Sequence, residues 1–181
     1  MTALKNLFRQ QPPAAPRVTL ATDHGDIVLA LDGEAAPRTV ANFLAYAGDG
    51  FYDGTVFHRV IAGFMIQGGG HDTGLAQRRP GRAPVRNESD NGLRNRRGTV
   101  AMARTPDPHS ATSQFFINLA DNTALDAAEG QYGYTVFGRV VEGMDTVDAI
   151  AALPTGPAGP LRSDVPRPLP TIETVRVEAD A

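Results

Sequence analysis

Residues 57–69 read Phe57-His58-Arg59-Val60-Ile61-Ala62-Gly63-Phe64-Met65-Ile66-Gln67-Gly68-Gly69. Two apolar, β-prone runs flank an Ala-Gly turn, which is the pattern of a hairpin. Strand alternation places Phe57, Arg59 and Ile61 on one face of the first run, and Met65 and Gln67 together on the second, with Phe64 beside the turn. A lone arginine in an apolar strand is costly unless its donors find partners. A structural salt bridge and a ligand-facing role both meet that need, and spacing alone leaves the two open. Gly68-Gly69-Gly70 fits neither GxGxxG nor GxxxxGK[ST], so turn or bulge glycines are the better reading.

Outward from this hairpin the chain keeps the same character. Val18-Thr19-Leu20 and Ile27–Leu31 surround the polar turn Asp23–Asp26 and form a second hairpin. Val40, Phe43, Leu44 and Ala47 recur at helical spacing, with Pro37 suited to the first turn and Gly48 to the stop, which predicts a helix over 37–48. Short apolar runs follow at Thr99–Ala103, Gln114–Leu119 and Val136–Val141, then a helical segment over 144–152 and a last strand at Ile172–Val177. Many short strands with two helices predict a mainly β domain, a barrel or sandwich with helical caps. Residues 1–16 read as an N-terminal arm ended by Gln10-Gln11-Pro12-Pro13, and 17–181 as the domain. Two segments, 71–97 with seven arginines and 153–170 with six prolines, read as long loops.

Composition narrows the chemistry. The chain has 181 residues, which suits one domain, and a formal charge of −3, which gives no strong field toward nucleic acid or an acidic membrane. It has no cysteine, so disulfides, thiolate metal sites and a cysteine nucleophile are excluded. The first sixteen residues contain no apolar run longer than Leu7-Phe8, and no stretch approaches a spanning helix, which predicts a cytoplasmic protein without membrane contact. His24, His58, His71 and His109 have no metal-ligand spacing, and Ser110 and Ser113 lack the GxSxG elbow. The arginine-rich loop is interrupted by Asp72, Glu88 and Asp90 and carries no aromatic for base stacking. It therefore reads as a solvated surface rather than an RNA-binding one.

Phe57–Gly70, Gly98-Thr99-Val100-Ala101-Met102-Ala103-Arg104, Ser110–Asn118 and Val136–Ile150 together resemble the cyclophilins, the peptidyl-prolyl cis–trans isomerases. The resemblance runs in order from about Arg17 to Val177 and is strongest to the bacterial cytoplasmic type. It implies a closed eight-stranded antiparallel β-barrel capped by two helices. It also implies site residues. Arg59 matches the catalytic arginine, with Gln67 beside it. Phe64, Met65, Ala103, Arg104, Gln114, Phe116, Leu125 and Tyr134 match positions that bind substrate, Tyr134 standing where eukaryotic relatives carry a histidine. Phe57, Phe115 and Phe137 are expected to fill the core instead. The implied partners are proline-containing peptides and unfolded protein clients, acted on by a monomer without metal or cofactor. Ala124 departs from the family, where this position is often Trp or another bulky aromatic. Together with Tyr134 it predicts weak cyclosporin binding.

Such residues suit the reaction. Rotation about an Xaa–Pro bond meets a barrier of ~18–20 kcal/mol because amide resonance must break. As the bond twists, the prolyl nitrogen gains a lone pair, and a guanidinium bonded to it stabilises the twisted state over the planar one. A dry apolar pocket around the ring strengthens that bond.

Overall fold

The computed structural model describes residues 15–178. The expected arm over 1–16 lies almost wholly outside the described residues. The strands are β1 (Arg17–Thr22), β2 (Gly25–Leu31), β3 (Thr55–Ile61), β4 (Met65–Asp72), β5 (Thr99–Met102), β6 (Phe115–Asn118), β7 (Val136–Glu142), β8 (Thr155–Ala158), β9 (Leu161–Pro166) and β10 (Thr171–Glu178). The helices are α1 (Pro37–Gly48) and α2 (Met144–Ala151). Eight strands close a barrel in the order β1-β10-β3-β4-β6-β5-β7-β2, every pair antiparallel. Closure leaves no sheet edge to protect.

Helix α1 begins at Pro37 without a side-chain cap of its own. Its N-terminal donors are met from a distance: Glu88 accepts from the Thr39 N–H and hydroxyl, both at 2.7 Å. A carboxylate at that end also complements the helix dipole. The apolar stripe of α1 then enters the barrel, where Phe43 packs on Phe115 and Phe137 at ring-centroid distances of 5.5 and 5.3 Å. Val147 and Ile150 of α2 are buried in the same core, as are Phe57, Phe115 and Phe137. The filling role expected for these three phenylalanines is therefore what the fold gives them.

Three sequence expectations change. First, Phe57 and Arg59 do not share a face. The register shifts on both sides of Phe57, so that Phe57 opposes Gly68 while Arg59 opposes Gln67, leaving His58 as an extra residue in β3. This bulge turns Phe57 into the core and Arg59 outward. The glycines opposite make it possible. A Cβ on Gly68 would lie 2.9 Å from both the Phe57 ring and the Val56 carbonyl oxygen, and Gly69 has φ +86°.

Second, the proline-rich 153–170 segment is not a loop. Strands β8 and β9 pair as a separate hairpin, and Val165 with Leu161 and Ala158 covers Val56 and Leu75 in a small cluster outside the barrel. Third, the 71–97 segment is tied to the barrel rather than solvated throughout. Asn87, Ser89 and Asn95 are buried in it, and Asn87 donates to the Gly133 carbonyl at 2.9 Å while the Gly133 N–H donates to Ser89 at 3.0 Å.

Candidate active site

Strands β3, β4 and β6, with the β3–β4 turn and the segments that follow β5 and precede β7, line a groove of about 260 Å³. Its lining is Arg59, Phe64, Met65, Gln67, Ala103, Arg104, Phe116, Leu125 and Tyr134. These are nine of the ten residues that the sequence singled out. The tenth, Gln114, stands behind them: it accepts from Gln67 Nε2 at 3.0 Å. The fold thus brings together positions as far apart as Arg59 and Tyr134.

Register explains the assembly. Gln67 faces Arg59 on one side and Phe116 on the other, and Phe116 in turn faces Ala101. The polar pair and the aromatic floor therefore sit side by side across neighbouring strands. Met65 and Phe116 are buried with Ala101 and Val136, and Phe64, Ala103, Leu125 and Tyr134 pack against them. The Tyr134 ring meets Phe116 edge-on at 5.7 Å and 77°, while the Arg104 guanidinium lies over it at 4.5 Å from its centroid. Arg104 also donates to the carbonyls of Gly133 at 3.3 Å and Thr105 at 2.9 Å, so its side chain forms a fixed wall. The Ala103 N–H is taken by the Gln114 carbonyl at 3.0 Å.

Arg59 is the exposed cation of this groove. Among the described residues it forms no ion pair, and its side chain makes one hydrogen bond, from Nη1 to Gln67 Oε1 at 3.2 Å. This rules out the structural salt bridge that the sequence left open. A neutral acceptor orients the guanidinium without neutralising it, and the remaining donors stay available to a ligand.

Behind the bulge, His58 stacks on His71 with ring centroids 4.0 Å apart. Burial, with the positive charge of His71 and Arg59, pushes the His58 pKa down to about 3. Burial lowers that of His71 too, against the pull of Asp72.

Sequence reasoning passed over a set of asparagines that hold the groove walls. Asn118 is fully buried and donates to Asn95 and Thr99, each at 3.0 Å. Asn122 donates to Asn118 Oδ1 and to the Phe64 carbonyl, each at 2.8 Å, and its own carbonyl receives the Leu125 N–H. Asp126 accepts from the Asn95 backbone and side chain. Phe64 and Leu125 are thus fixed through backbone groups. The signal was present in Asn118, an amide at the end of the apolar run Phe115-Phe116-Ile117, where burial demands partners.

The groove thus combines an apolar floor with two guanidinium groups that lack a carboxylate partner among the described residues, the exposed Arg59 held by Gln67 and the half-buried Arg104 held over Tyr134. The family described as cyclophilin type peptidyl-prolyl cis-trans isomerase/CLD matches residues 17–177. Peptidyl-prolyl cis-trans isomerase B of Escherichia coli is 52% identical over 164 residues, which cover 88% of this chain and 98% of that protein. Peptidyl-prolyl cis-trans isomerase A of Dickeya dadantii is 52% identical over 152 residues, covering 84% and 80%. Among solved structures, a Cryptosporidium parvum cyclophilin-type isomerase crystallised in the presence of the dipeptide Ala-Pro superposes with a TM-score of 0.72 at 26% identity, over 90% of this chain and 99% of that one. The chain belongs to the cyclophilin-type peptidyl-prolyl cis–trans isomerases, and it is an enzyme of that class. Among the described residues no helix is long and apolar enough to cross a membrane.

Proposed function

We propose that the groove holds the proline of an Xaa-Pro segment and that Arg59 drives the rotation. The supporting observation is the Arg59 guanidinium, held at 3.2 Å by a neutral glutamine and paired with no carboxylate among the described residues. Met65 and Phe116 form the floor under the prolyl ring, with Phe64 and Leu125 on its flanks. Met adapts to the changing shape of the ring. As the amide twists, Arg59 donates to the pyramidal nitrogen, an interaction unavailable in the planar ground state. Gln67 and Gln114 hold Arg59 in place, so less ordering is left for the transition state.

The substrates in this reading are proline-containing peptides and flexible or unfolded clients, in line with the dipeptide present with the Cryptosporidium relative. The backbone at Ala103-Arg104 lies beside the groove, where an extended peptide can pair with it. The reading includes a monomer working in the cytoplasm without metal or cofactor, and weak affinity for cyclosporin.

A direct test locates the ligand. Titration of an isotope-labelled chain with an Ala-Pro tetrapeptide should shift the resonances of Phe64, Met65, Phe116 and Leu125 first. Phe116→Ala should weaken binding by about tenfold or more, from the loss of a buried aromatic contact. Peptide-induced shifts centred away from these residues would refute the assignment.

A further inference from the structure

A second hollow, of about 400 Å³, is larger than the active groove and lies where strands β2 and β7 meet the 92–96 segment. Leu31, Val136 and Gly138 form its buried floor, with Leu93 beside them, and the exposed Arg94, Arg96 and Arg139 stand around it. Of the seven arginines in 71–97, three are engaged with the rest of the fold and two, Arg94 and Arg96, line this hollow. Arg78 donates to the carbonyls of Phe51 and Asp53, Arg82 pairs with Asp49 at 2.6 Å, and Arg97 pairs with Asp148 at 2.7 Å. These three are committed to holding the loop. Among the described residues, the side chains of Arg94 and Arg96 make no hydrogen bond or ion pair, and neither does Arg139, which joins them from β7. Asp32 is the one carboxylate lining the hollow, and its Oδ1 already receives the Ala35 N–H at 2.9 Å.

We propose that this hollow binds an acidic, partly aliphatic segment of a polypeptide partner. Carboxylates of the segment pair with Arg94, Arg96 and Arg139, while an aliphatic side chain rests on Leu93 and Ala30, the half-buried apolar residues of the lining. Bidentate pairing with carboxylates is what arginine does best, and the apolar floor gives a purpose that a small free anion would not need. Charge argues against residues 1–14 of the chain as occupant: they carry Lys5 and Arg9 and no acidic residue. A nucleic acid fits less well, because no aromatic lines the hollow and the chain as a whole carries −3. Leu93 and Val136 also pack in the cluster that contains Met65 and Phe116, so the hollow backs onto the active groove.

The test uses the full chain and a labelled, proline-free peptide of alternating Glu and Leu. Its Glu→Gln counterpart and a single-stranded RNA of equal length serve as comparisons. The Glu peptide should bind at low salt. The triple variant Arg94→Gln, Arg96→Gln, Arg139→Gln should lose about tenfold or more in affinity, since three exposed pairs each contribute severalfold. The pair Arg162→Gln, Arg176→Gln, both exposed and outside the hollow, should leave it unchanged. Turnover of an Ala-Pro reporter by the triple variant should match the parent, showing that the fold and the active groove are intact. The proposal is overturned if the Glu peptide does not bind, if the triple variant binds it as the parent does, or if RNA binds more tightly than the peptide through the same three arginines.

Discussion

The buried histidine pair sets an acid limit on stability that can be worked out. His58 and His71 are 6% and 9% exposed, and neither Nδ1 has a hydrogen-bond partner among the described residues. Burial, the His71 charge and the Arg59 charge lower the His58 pKa from 6.5 to about 3. Between those values the folded chain keeps His58 neutral while the unfolded chain protonates it. The unfolded state then binds more protons, so stability falls as pH drops below 6.5 and goes on falling toward 3. At pH 5 the distance below the unfolded value corresponds to about 2 kcal/mol lost through His58 alone. Urea unfolding of the wild type and His58→Gln at pH 7.5 and pH 5 isolates this term, because the carboxylates contribute alike to both. The wild type should lose about 2 kcal/mol more than the variant between the two pH values. Parallel losses would refute the claim that the fold holds His58 neutral.

Two further outcomes concern the groove. Gln67→Leu removes the acceptor of Arg59 Nη1 and should lower kcat/KM by about tenfold, the scale of one hydrogen bond to a charged group. In an Arg59→Ala background the same change should cost less than about twofold, because its role is to place the arginine; additive losses in the reporter assay would contradict that. Ala124 is exposed beside the groove residue Leu125, so it offers no bulky contact to a large ligand. Cyclosporin should inhibit Ala124→Trp at least about tenfold more tightly than the wild type, from the added indole contact, and equal, tight inhibition of both would sink this reading.

Much of this architecture was legible because its signals are local. The Val40-Phe43-Leu44-Ala47 spacing and Pro37 mark α1, and the alternating runs mark the barrel strands. The groove was legible through motif resemblance, and register places those motif residues side by side. What escaped was non-local. The His58 bulge depends on Gly68 and Gly69 in the facing strand, so alternation within 57–61 gave the wrong face for Phe57. The β8–β9 hairpin is rich in proline and buries little beyond Val165 and Pro166, so it lacks an alternating pattern. The arginines of 71–97 look equivalent in sequence, and only their tertiary partners separate Arg78, Arg82 and Arg97 from Arg94 and Arg96.

In the proposed reaction Arg59 stabilises the twisted prolyl bond. Cis-to-trans exchange of a short Xaa-Pro reporter, measured with the wild type, Arg59→Ala and Arg59→Lys, tests it most directly. Because Arg59 is exposed, both substitutions should leave the fold intact, which unfolding curves will show. The account predicts strong acceleration by the wild type and a fall of about 100-fold or more in Arg59→Ala, on the order of 2.7 kcal/mol of transition-state stabilisation. Lysine should restore little, because it lacks the fixed fork that Gln67 orients. Wild-type turnover retained in a folded Arg59→Ala would contradict the account and move the chemistry to the apolar walls of the groove.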